Sequence, residues 1–230
     1  SKKLKFSKSL TLKNTNSSQS YVFGDKKGER LLAAYSSKKL LLTKKIPHFD
    51  LSSNHTYLFD TRWIEAALYL SNQSAIGKIK CVGDIDNFKM NKNIKKIVLN
   101  TTYPIFSENG LYDYCKIKSP LKALKNLFKR KNKFYAVTLG ENGVMWIDNH
   151  QVYLCKTLKV KVVETNGAGD VFHGAFAYSV DQNNDISHAI KFATAAATLK
   201  CTKKGGIRSL PSLSSVNKLA AKLKIIKVRT

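Results

Sequence analysis

The residues best suited to chemistry lie in one stretch, residues 163–176, with the sequence VETNGAGDVFHGAF. Gly167 and Gly169 give it a permissive backbone, and a helix is predicted from Ala168 onward. A glycine-rich turn that runs into a helix leaves backbone N–H groups unpaired at the positive end of the helix dipole, which favours a bound anion such as phosphate. Asp170 would lie beside that anion and could accept a proton from a hydroxyl that attacks phosphorus.

The same residues also have a purely structural interpretation. Gly-Ala-Gly before an apolar run is typical of a helix that starts in close contact with its neighbours, and Asp170 suits the positive end of the dipole. Short glycine motifs occur in many unrelated proteins, so the surrounding residues have to decide between the two.

The composition is that of one globular domain. The chain has 230 residues, of which 43% are hydrophobic, and no apolar run approaches the length of a membrane span. No apolar segment follows the basic residues at the start, so no signal peptide is expected. The four cysteines are widely spaced, which indicates reduced thiols in a cytoplasmic protein rather than a disulfide or zinc framework.

The formal net charge of +25 has two interpretations. A nucleic-acid or acidic-membrane partner would use it directly, whereas a lysine-rich composition spread over solvated faces needs no such partner. We favour the second, because lysines occur along the whole chain and no aromatic RNA-binding motif accompanies them. In either case a positive field would attract anionic substrates.

The elements that must position these residues are strands alternating with helices. A strand–turn–strand segment comes first, at residues 21–35, and residues 40–42 fit either a strand or a helical turn. Further strands are predicted at residues 56–60, 78–84, 97–99, 104–106, 134–140, 143–148 and 151–154. Helices are predicted at residues 63–71, 121–131, 168–180, 186–200 and 214–222. This alternation indicates right-handed crossovers and a largely parallel sheet that is covered on both faces.

Ligands of such folds bind at the carboxyl ends of the parallel strands. Five polar segments follow predicted strands, at Asp60–Arg62, Asp84, Ser107–Glu108, Gly140 and the loop at Gly167. One edge of the sheet would therefore gather an arginine, several carboxylates, two glycine turns and an anion site. That set suits phosphoryl transfer, in which Mg²⁺ bridges the phosphates and the protein supplies position and charge.

Four segments together resemble a known family. Residues 165–172, TNGAGDVF, resemble the second signature of the ribokinase-like (pfkB) carbohydrate kinases, D-T-x-G-A-G-D-x-F. Residues 138–143 look like the family's T-x-G-x-x-G turn, residues 201–206 before Pro211 look like its adenine-side loop, and residues 28–30 look like the G-E-R of its lid strands. Narrower similarity to the sulfofructose kinase and fructokinase-like branch lies at residues 17–20, 60–63, 106–108 and 170–175.

This resemblance covers residues 17–211 and implies an α/β protein. Its fold would be the ribokinase-like three-layer α/β/α fold, with a mainly parallel central sheet and a small β lid. Residues 1–45 would form the lead-in and part of the lid, and residues 46–230 the nucleotide-binding kinase core. The family opens with an Asp-bearing strand and a Gly-Gly-x-x-x-Asn segment, and neither is found, so we expect an N-terminally truncated domain with an incomplete sugar pocket.

For function, the resemblance implies ATP-dependent phosphorylation of a hydroxyl on a ketose or related sugar. Mg²⁺ would be required, and the family's site has room for a monovalent cation. Asp170 would be the general base and would contact the sugar, and the amides of Gly167, Ala168 and Gly169 would hold the phosphoryl group. The nucleotide would bind at Thr138, Gly140, Gly143, Thr165, Asn166 and Gly205.

Several further residues keep two interpretations. Glu108 would help to organise Mg²⁺ through water, or would be only an acidic residue at a helix N-terminus. Arg62 would bind the sugar or its anionic group, or would form a surface salt bridge at a helix start. His173 is assigned to packing, and Asp84 and Asp86 to a turn and a helix cap rather than to a metal.

Two substitutions depart from the family pattern. Glu164 stands where the family has Asp, and its additional methylene would alter a nearby monovalent-cation site. Ala34 replaces an Asn that the branch uses to bind a sulfonated sugar. Because the N-terminal segment is expected to be missing, the alternative function is a remnant that binds nucleotide or sugar without activity. The resemblance also implies a homodimer formed through the lid strands, while neither a membrane nor a nucleic acid is expected as a partner.

Overall fold

The computed structural model describes residues 11–24, 30–41, 43–86 and 88–228, which contain a central sheet with helices on both faces. The strands are β1 Gln19–Gly24, β2 Arg30–Tyr35, β3 Thr56–Asp60, β4 Lys80–Ile85, β5 Tyr103–Ser107, β6 Tyr135–Thr138, β7 Val144–Asp148, β8 Gln151–Cys155 and β9 Ile225–Lys227. The helices are α1 Lys38–Leu41, α2 Ile64–Ala75, α3 Lys92–Asn100, α4 Glu108–Cys115, α5 Pro120–Arg130, α6 Ala168–Asp181, α7 Ile186–Lys200 and α8 Leu213–Ala220.

Within this described part, the central sheet has seven strands in the order β3-β4-β5-β6-β7-β8-β9. β3 to β6 are parallel neighbours, whereas β7, β8 and β9 each pair antiparallel with the strand before. β8 therefore runs in the direction of β6, so five of these seven strands share one direction. The predicted mainly parallel sheet is confirmed, and α2 to α5 supply the crossovers that parallel neighbours need.

Both faces of the sheet are buried. Helices α2 to α5 pack on one face, and α6 to α8 pack on the other. Successive residues of one strand enter opposite cores, as Ile105 and Phe106 do in β5 and Trp146 and Ile147 do in β7. This is why the strands read as continuous apolar runs in the sequence. The three-layer α/β/α architecture expected from the sequence is the one observed.

One predicted strand was wrong. Residues 97–99 lie inside α3, which begins after Asn91, whose side chain accepts hydrogen bonds from the amides of Asn93 at 2.8 Å and Ile94 at 3.1 Å. The buried residues of this helix are Ile94, Ile97 and Val98, which lie on one helical face. A run of three apolar residues fits a helix or a strand equally well. Only the Asn91 cap and the earlier apolar residue Ile94 indicate a helix.

Two elements were not predicted from the sequence. Helix α4 is short and contains Gly110, where an added Cβ would lie 2.4 Å from the Ile85 carbonyl oxygen, so glycine permits the close approach of α4 to β4. Strand β9 pairs antiparallel with β8 at the edge of the sheet. The hairpin predicted around Asn149 and His150 is confirmed, and both residues have positive φ values, of 45° and 65°.

Strands β1 and β2 form the small antiparallel hairpin predicted as part of a lid. Its large side chains are exposed, including Tyr21, Phe23, Leu31 and Tyr35. The predicted Gly-Glu-Arg segment begins outside the described residues, at 28 and 29, and only its third residue opens β2. Residues 38–41 form the helical turn that was one of two alternatives. No helix in the described ranges is long and apolar enough to cross a membrane.

Two glycine-to-alanine substitutions should change stability in opposite directions. At Gly143, where φ is 95°, an added Cβ would lie 2.0 Å from the Cys155 carbonyl oxygen. We expect Gly143→Ala to lower the free energy of unfolding by about 2–4 kcal/mol. Gly174 lies inside α6 with nothing within 4 Å of its added Cβ, so Gly174→Ala should raise it by about 0.5–1 kcal/mol. Urea denaturation of both variants tests this, and equal effects would contradict it.

Candidate active site

The carboxyl ends of the parallel strands lie side by side at one edge of the sheet. Asp60, the last residue of β3, is opposite Asp84 of β4, and Ser107, the last residue of β5, is opposite Thr138 of β6. Asp86 follows β4, and its carboxylate accepts a hydrogen bond from the Ser107 hydroxyl at 2.7 Å. The polar edge predicted from the sequence is therefore present.

Helix α6 begins at the turn that was predicted to hold an anion. Gly167 is its N-cap, with a φ of 76° that glycine adopts at little cost. The Gly167 carbonyl accepts from the amide of Val171 at 3.0 Å, and the amide of Ala168 donates to the Thr165 carbonyl at 3.1 Å. Gly167 has no side chain to cap this helix end, and among the described residues the amide of Gly169 donates to no backbone carbonyl. Donors are therefore left for an incoming anion.

Asp170 stands in the first turn of α6, and its side chain is exposed. One face of the following turns is buried, where Phe172 and Phe176 pack into the core between α6 and the sheet. The helix is thus oriented by its aromatic residues. The Asp170 carboxylate at its start reaches solvent beside the turn of residues 165–169, which is called the anion turn below. This is the position that a base acting on a bound substrate needs.

His173 was assigned to packing, and it is buried, but it also makes polar contacts. Its Nδ1 donates to the Gly169 carbonyl at 2.8 Å, and its Nε2 lies 3.6 Å from Oδ1 of Asp84. In a neutral ring with its proton on Nδ1, Nε2 directs a lone pair at that carboxylate. The arrangement is favourable only when the imidazole or Asp84 carries one additional proton. Through this pair, the start of α6 is connected to β4.

Four carboxylates share the electrostatic surroundings of this edge. Burial raises the pKa of Asp84, and the charges of Asp86, Asp170 and Asp60 raise it further, while His173 lowers it. The side chain of Asp84 is 23% exposed. Negative charge is therefore concentrated where the anion turn opens, in a chain that is strongly positive as a whole.

The assignment of Asp84 and Asp86 to a turn and a helix cap was wrong. Asp84 lies inside β4, and α3, the next helix, is capped by Asn91. The signal in the sequence was position: both carboxylates come at the carboxyl end of an apolar strand, where side chains reach the site.

A second connection fastens the segment before the anion turn. The Nζ of Lys200 lies 2.9 Å from Oε2 of Glu164, and the two side chains are 2% and 30% exposed. The hydrogen bond from Lys200 lowers the pKa of Glu164, and the amides of the Gly205–Gly206 turn lower it as well. The backbone amides of Val163 and Glu164 donate to the Cys201 carbonyl at 2.8 and 3.2 Å.

Sequence reasoning did not find this ion pair. The signal was weak: Lys200 comes four residues after Ala196 and seven after Ala193, both buried, so it falls on the buried side of α7. A lysine in that position needs a partner. Its partner, 36 residues earlier in the chain, could not be identified without the fold.

The residues predicted to bind nucleotide lie on loops that follow β6, precede α6 and follow α7. The hydroxyl of Thr138 donates to the Phe106 carbonyl at 3.3 Å, which joins β6 to β5. Gly140 and Gly205 have φ values of 56° and 123°, and Gly140 faces open space where a side chain would be. Gly143 is required by its close approach to β8. The predicted residues Thr165 and Asn166 are exposed in the turn before α6.

Arg62 forms the surface salt bridge that was one of its two interpretations. Its Nη1 lies 3.2 Å from Oδ2 of Asp60, and its amide donates to the same carboxylate at 2.9 Å. Both side chains are largely exposed at the start of α2. A sugar contact for Arg62 stays a prediction.

Glu108 is the first residue of α4 and is exposed. It follows Ser107, whose hydroxyl caps the helix by accepting from the amide of Gly110 at 2.9 Å. No group of three or more His, Cys, Asp or Glu side chains within the described ranges could hold a metal ion. A single exposed carboxylate fits Mg²⁺, which keeps most of its water and phosphate ligands when it binds with a nucleotide.

The architecture and the glycine turn at its carboxyl edge define the class: an α/β/α protein of the ribokinase type. The chain belongs to the pfkB family of carbohydrate kinases, whose family profile matches residues 1–213. It is 39% identical over 114 residues to a ribokinase of Lactococcus lactis, a match that covers 50% of this chain and 37% of that protein. It is 31% identical over 148 residues to a ribokinase of Dictyostelium discoideum, covering 62% and 42%. The matches thus span less than half the length of these relatives.

Solved structures agree with this assignment. A putative ribokinase of Agrobacterium tumefaciens superposes with a TM-score of 0.82 at 26% identity, covering 91% of this chain and 69% of that one. The ribokinase of Thermotoga maritima superposes with a TM-score of 0.75 at 23% identity, covering 89% and 69%. The predicted family and fold are confirmed, while the narrower sulfofructose kinase and fructokinase-like branch stays a prediction.

The raised pKa of Asp84 predicts how stability changes with pH. A carboxyl group that is easier to protonate in the folded state stabilises the fold at low pH, and this contribution is lost as the pH rises through its raised pKa. We therefore expect Asp84→Asn to gain stability relative to the unchanged chain as the pH rises from below the ordinary pKa of Asp to neutrality. Urea denaturation along a pH series measures the difference.

The control for that series is Asp113→Asn, which removes a carboxylate from the exposed face of α4. A difference for Asp84→Asn that is constant with pH, or that falls as the pH rises, would show that Asp84 is not held in a protonation-favouring site.

Proposed function

We propose that this chain carries the phosphoryl-transfer site of an ATP-dependent sugar kinase. The observation that carries the proposal is the start of α6, where an uncapped helix N-terminus opened by Gly167 stands next to the exposed carboxylate of Asp170. An anion site and a base within one helical turn suit the transfer of a phosphoryl group to a hydroxyl.

In this proposal Asp170 accepts the proton of the attacking sugar hydroxyl. The backbone amides of Gly167, Ala168 and Gly169 and the dipole of α6 stabilise the charge that develops on the transferred group. The amide of Ala168 donates to Thr165 in this structure, so a bound phosphate would compete for it. His173 and Asp84 hold the first turn of α6 against β4 while this happens.

ATP would lie along the loops at Thr138, Gly140 and Gly143, at Thr165 and Asn166, and at Gly205. Glu108 would hold Mg²⁺ through water; the ion, when bound, neutralises charge on the phosphates. The open space at Gly140 supports a backbone approach of the nucleotide. The curated relatives include ribokinases, a deoxyribokinase and a fructokinase, which supports a pentose or ketose as the sugar.

The surroundings of the site are part of the proposal. Arg62 would exchange its exposed salt bridge with Asp60 for the sugar. The exposed aromatic face of the β1–β2 hairpin would be the surface through which two copies pair. The four free cysteines suit a reducing compartment such as the cytoplasm.

Removal of the proposed base should abolish turnover without loss of nucleotide binding. Asp170→Asn keeps the size of the side chain, and we expect kcat to fall by about 10²–10⁴-fold, the contribution of a general base. Coupled measurement of ADP release with ribose, deoxyribose and fructose, together with calorimetric titration of ATP, separates the two effects.

The matched control is Asp181→Asn, at the opposite end of α6, where the side chain accepts from the amide of Thr56 at 2.6 Å and an amide oxygen can do the same. It should keep full activity. Sugar phosphorylation that survives Asp170→Asn would contradict the mechanism. ATP binding without turnover in the unchanged chain would instead support the binding remnant.

A further inference from the structure

The Glu164–Lys200 ion pair lies beside the anion turn and fastens the segment that leads into it. The ammonium of Lys200 is almost fully buried, and Glu164 is its only carboxylate partner among the described residues. A buried ammonium is unfavourable unless it is paired, and the Glu164 carboxylate supplies that pairing. Glu164 directly precedes Thr165, whose carbonyl accepts the amide of Ala168 at the start of α6.

The family resemblance implies a monovalent cation near Glu164, and the residues present do not fit one. The carboxylate that would attract such an ion already accepts a hydrogen bond from Lys200 at 2.9 Å. A second positive charge within a few ångströms would be repelled by that ammonium, whose burial weakens screening by solvent.

We propose that Lys200 is a positioning residue that supplies, from the chain itself, the fixed positive charge beside the anion turn. The pair and the two backbone hydrogen bonds to Cys201 hold the segment 163–165 against the end of α7. That segment sets where the amides of the turn and the carboxylate of Asp170 stand. Phosphoryl transfer in this chain would then be independent of added K⁺ or Na⁺. The kinetic part of this inference rests on the proposed kinase function.

Kinetics with exchanged cations tests the proposal. The unchanged chain should keep its kcat and its KM for ATP when about 0.1 M KCl is replaced by tetramethylammonium chloride at equal ionic strength. Lys200→Ala should lower kcat/KM about 100-fold, because the turn amides and Asp170 would no longer be held in place. Added K⁺ or methylammonium should restore part of the activity. Lys200→Arg should retain most activity. Lys218→Ala, which removes an exposed lysine from α8, should have no effect.

An unchanged chain that requires K⁺, or a Lys200→Ala variant that keeps full activity, would overturn the proposal. So would a loss in Lys200→Ala that neither cation restores, because a lysine needed only for folding cannot be replaced by a soluble cation.

Amide hydrogen exchange provides a readout that needs no turnover. In the unchanged chain, protection of residues 163–171 should not depend on K⁺. In Lys200→Met, which keeps the side-chain length without the charge, that protection should fall, while protection of α3 and α5 stays the same. Glu164→Gln should reproduce the effect and serves if the Lys200 variants do not fold. Unchanged protection in these variants would overturn the proposal.

The two tests also separate this inference from the proposed function. Exchange that responds as described, in a chain that phosphorylates no sugar, would reject the kinase activity and keep the role of Lys200. A chain that is active but requires K⁺, with amide exchange unaffected by the substitutions, would keep the kinase activity and reject the role of Lys200.

Discussion

In the proposed mechanism, helix α6 directs amides and a carboxylate at one phosphoryl group, and this requires that its first turn is held at a fixed place on the sheet. The apolar residues of the helix fix its axis but not the loop that leads into it. Two buried polar contacts lie at this end of the helix: Nε2 of His173 lies 3.6 Å from Oδ1 of Asp84, and the Lys200–Glu164 ion pair holds the segment before the turn. Both involve ionisable groups with little exposure, where electrostatic interactions are strong and unpaired groups are costly.

Charge is distributed on two scales in this molecule. Over the whole chain, 40 basic residues exceed 15 acidic ones, yet four of the acidic residues meet at the carboxyl edge of the sheet, at Asp60, Asp84, Asp86 and Asp170. Such an edge repels a polyphosphate unless helix amides and a bound cation compensate. The basic exterior acts at long range instead, where it raises the local concentration of anions.

The sequence predicted most elements because their signals are local. The alternation of strands and helices, the Asn149–His150 hairpin and the glycine turn before Asp170 each depend on neighbouring residues. The strand predicted at residues 97–99 was wrong because three apolar residues are too few to distinguish the period of a strand from that of a helix. The polar contacts of Asp84, His173 and Lys200 were not predicted for another reason. Their roles come from contacts between distant segments, such as the 36 residues between Glu164 and Lys200, and no local pattern encodes those.

The distance along the chain between Glu164 and Lys200 has an evolutionary consequence. Replacing Glu164 alone leaves the almost fully buried ammonium of Lys200 without its partner, whereas replacing Lys200 alone leaves a carboxylate that is 30% exposed. A lineage would therefore reach an uncharged pair more readily by losing Lys200 first. The two positions are expected to covary, and substitutions at one should be tolerated only in the genetic background set by the other. Such epistasis would make this pair a marker for subgroups within the family.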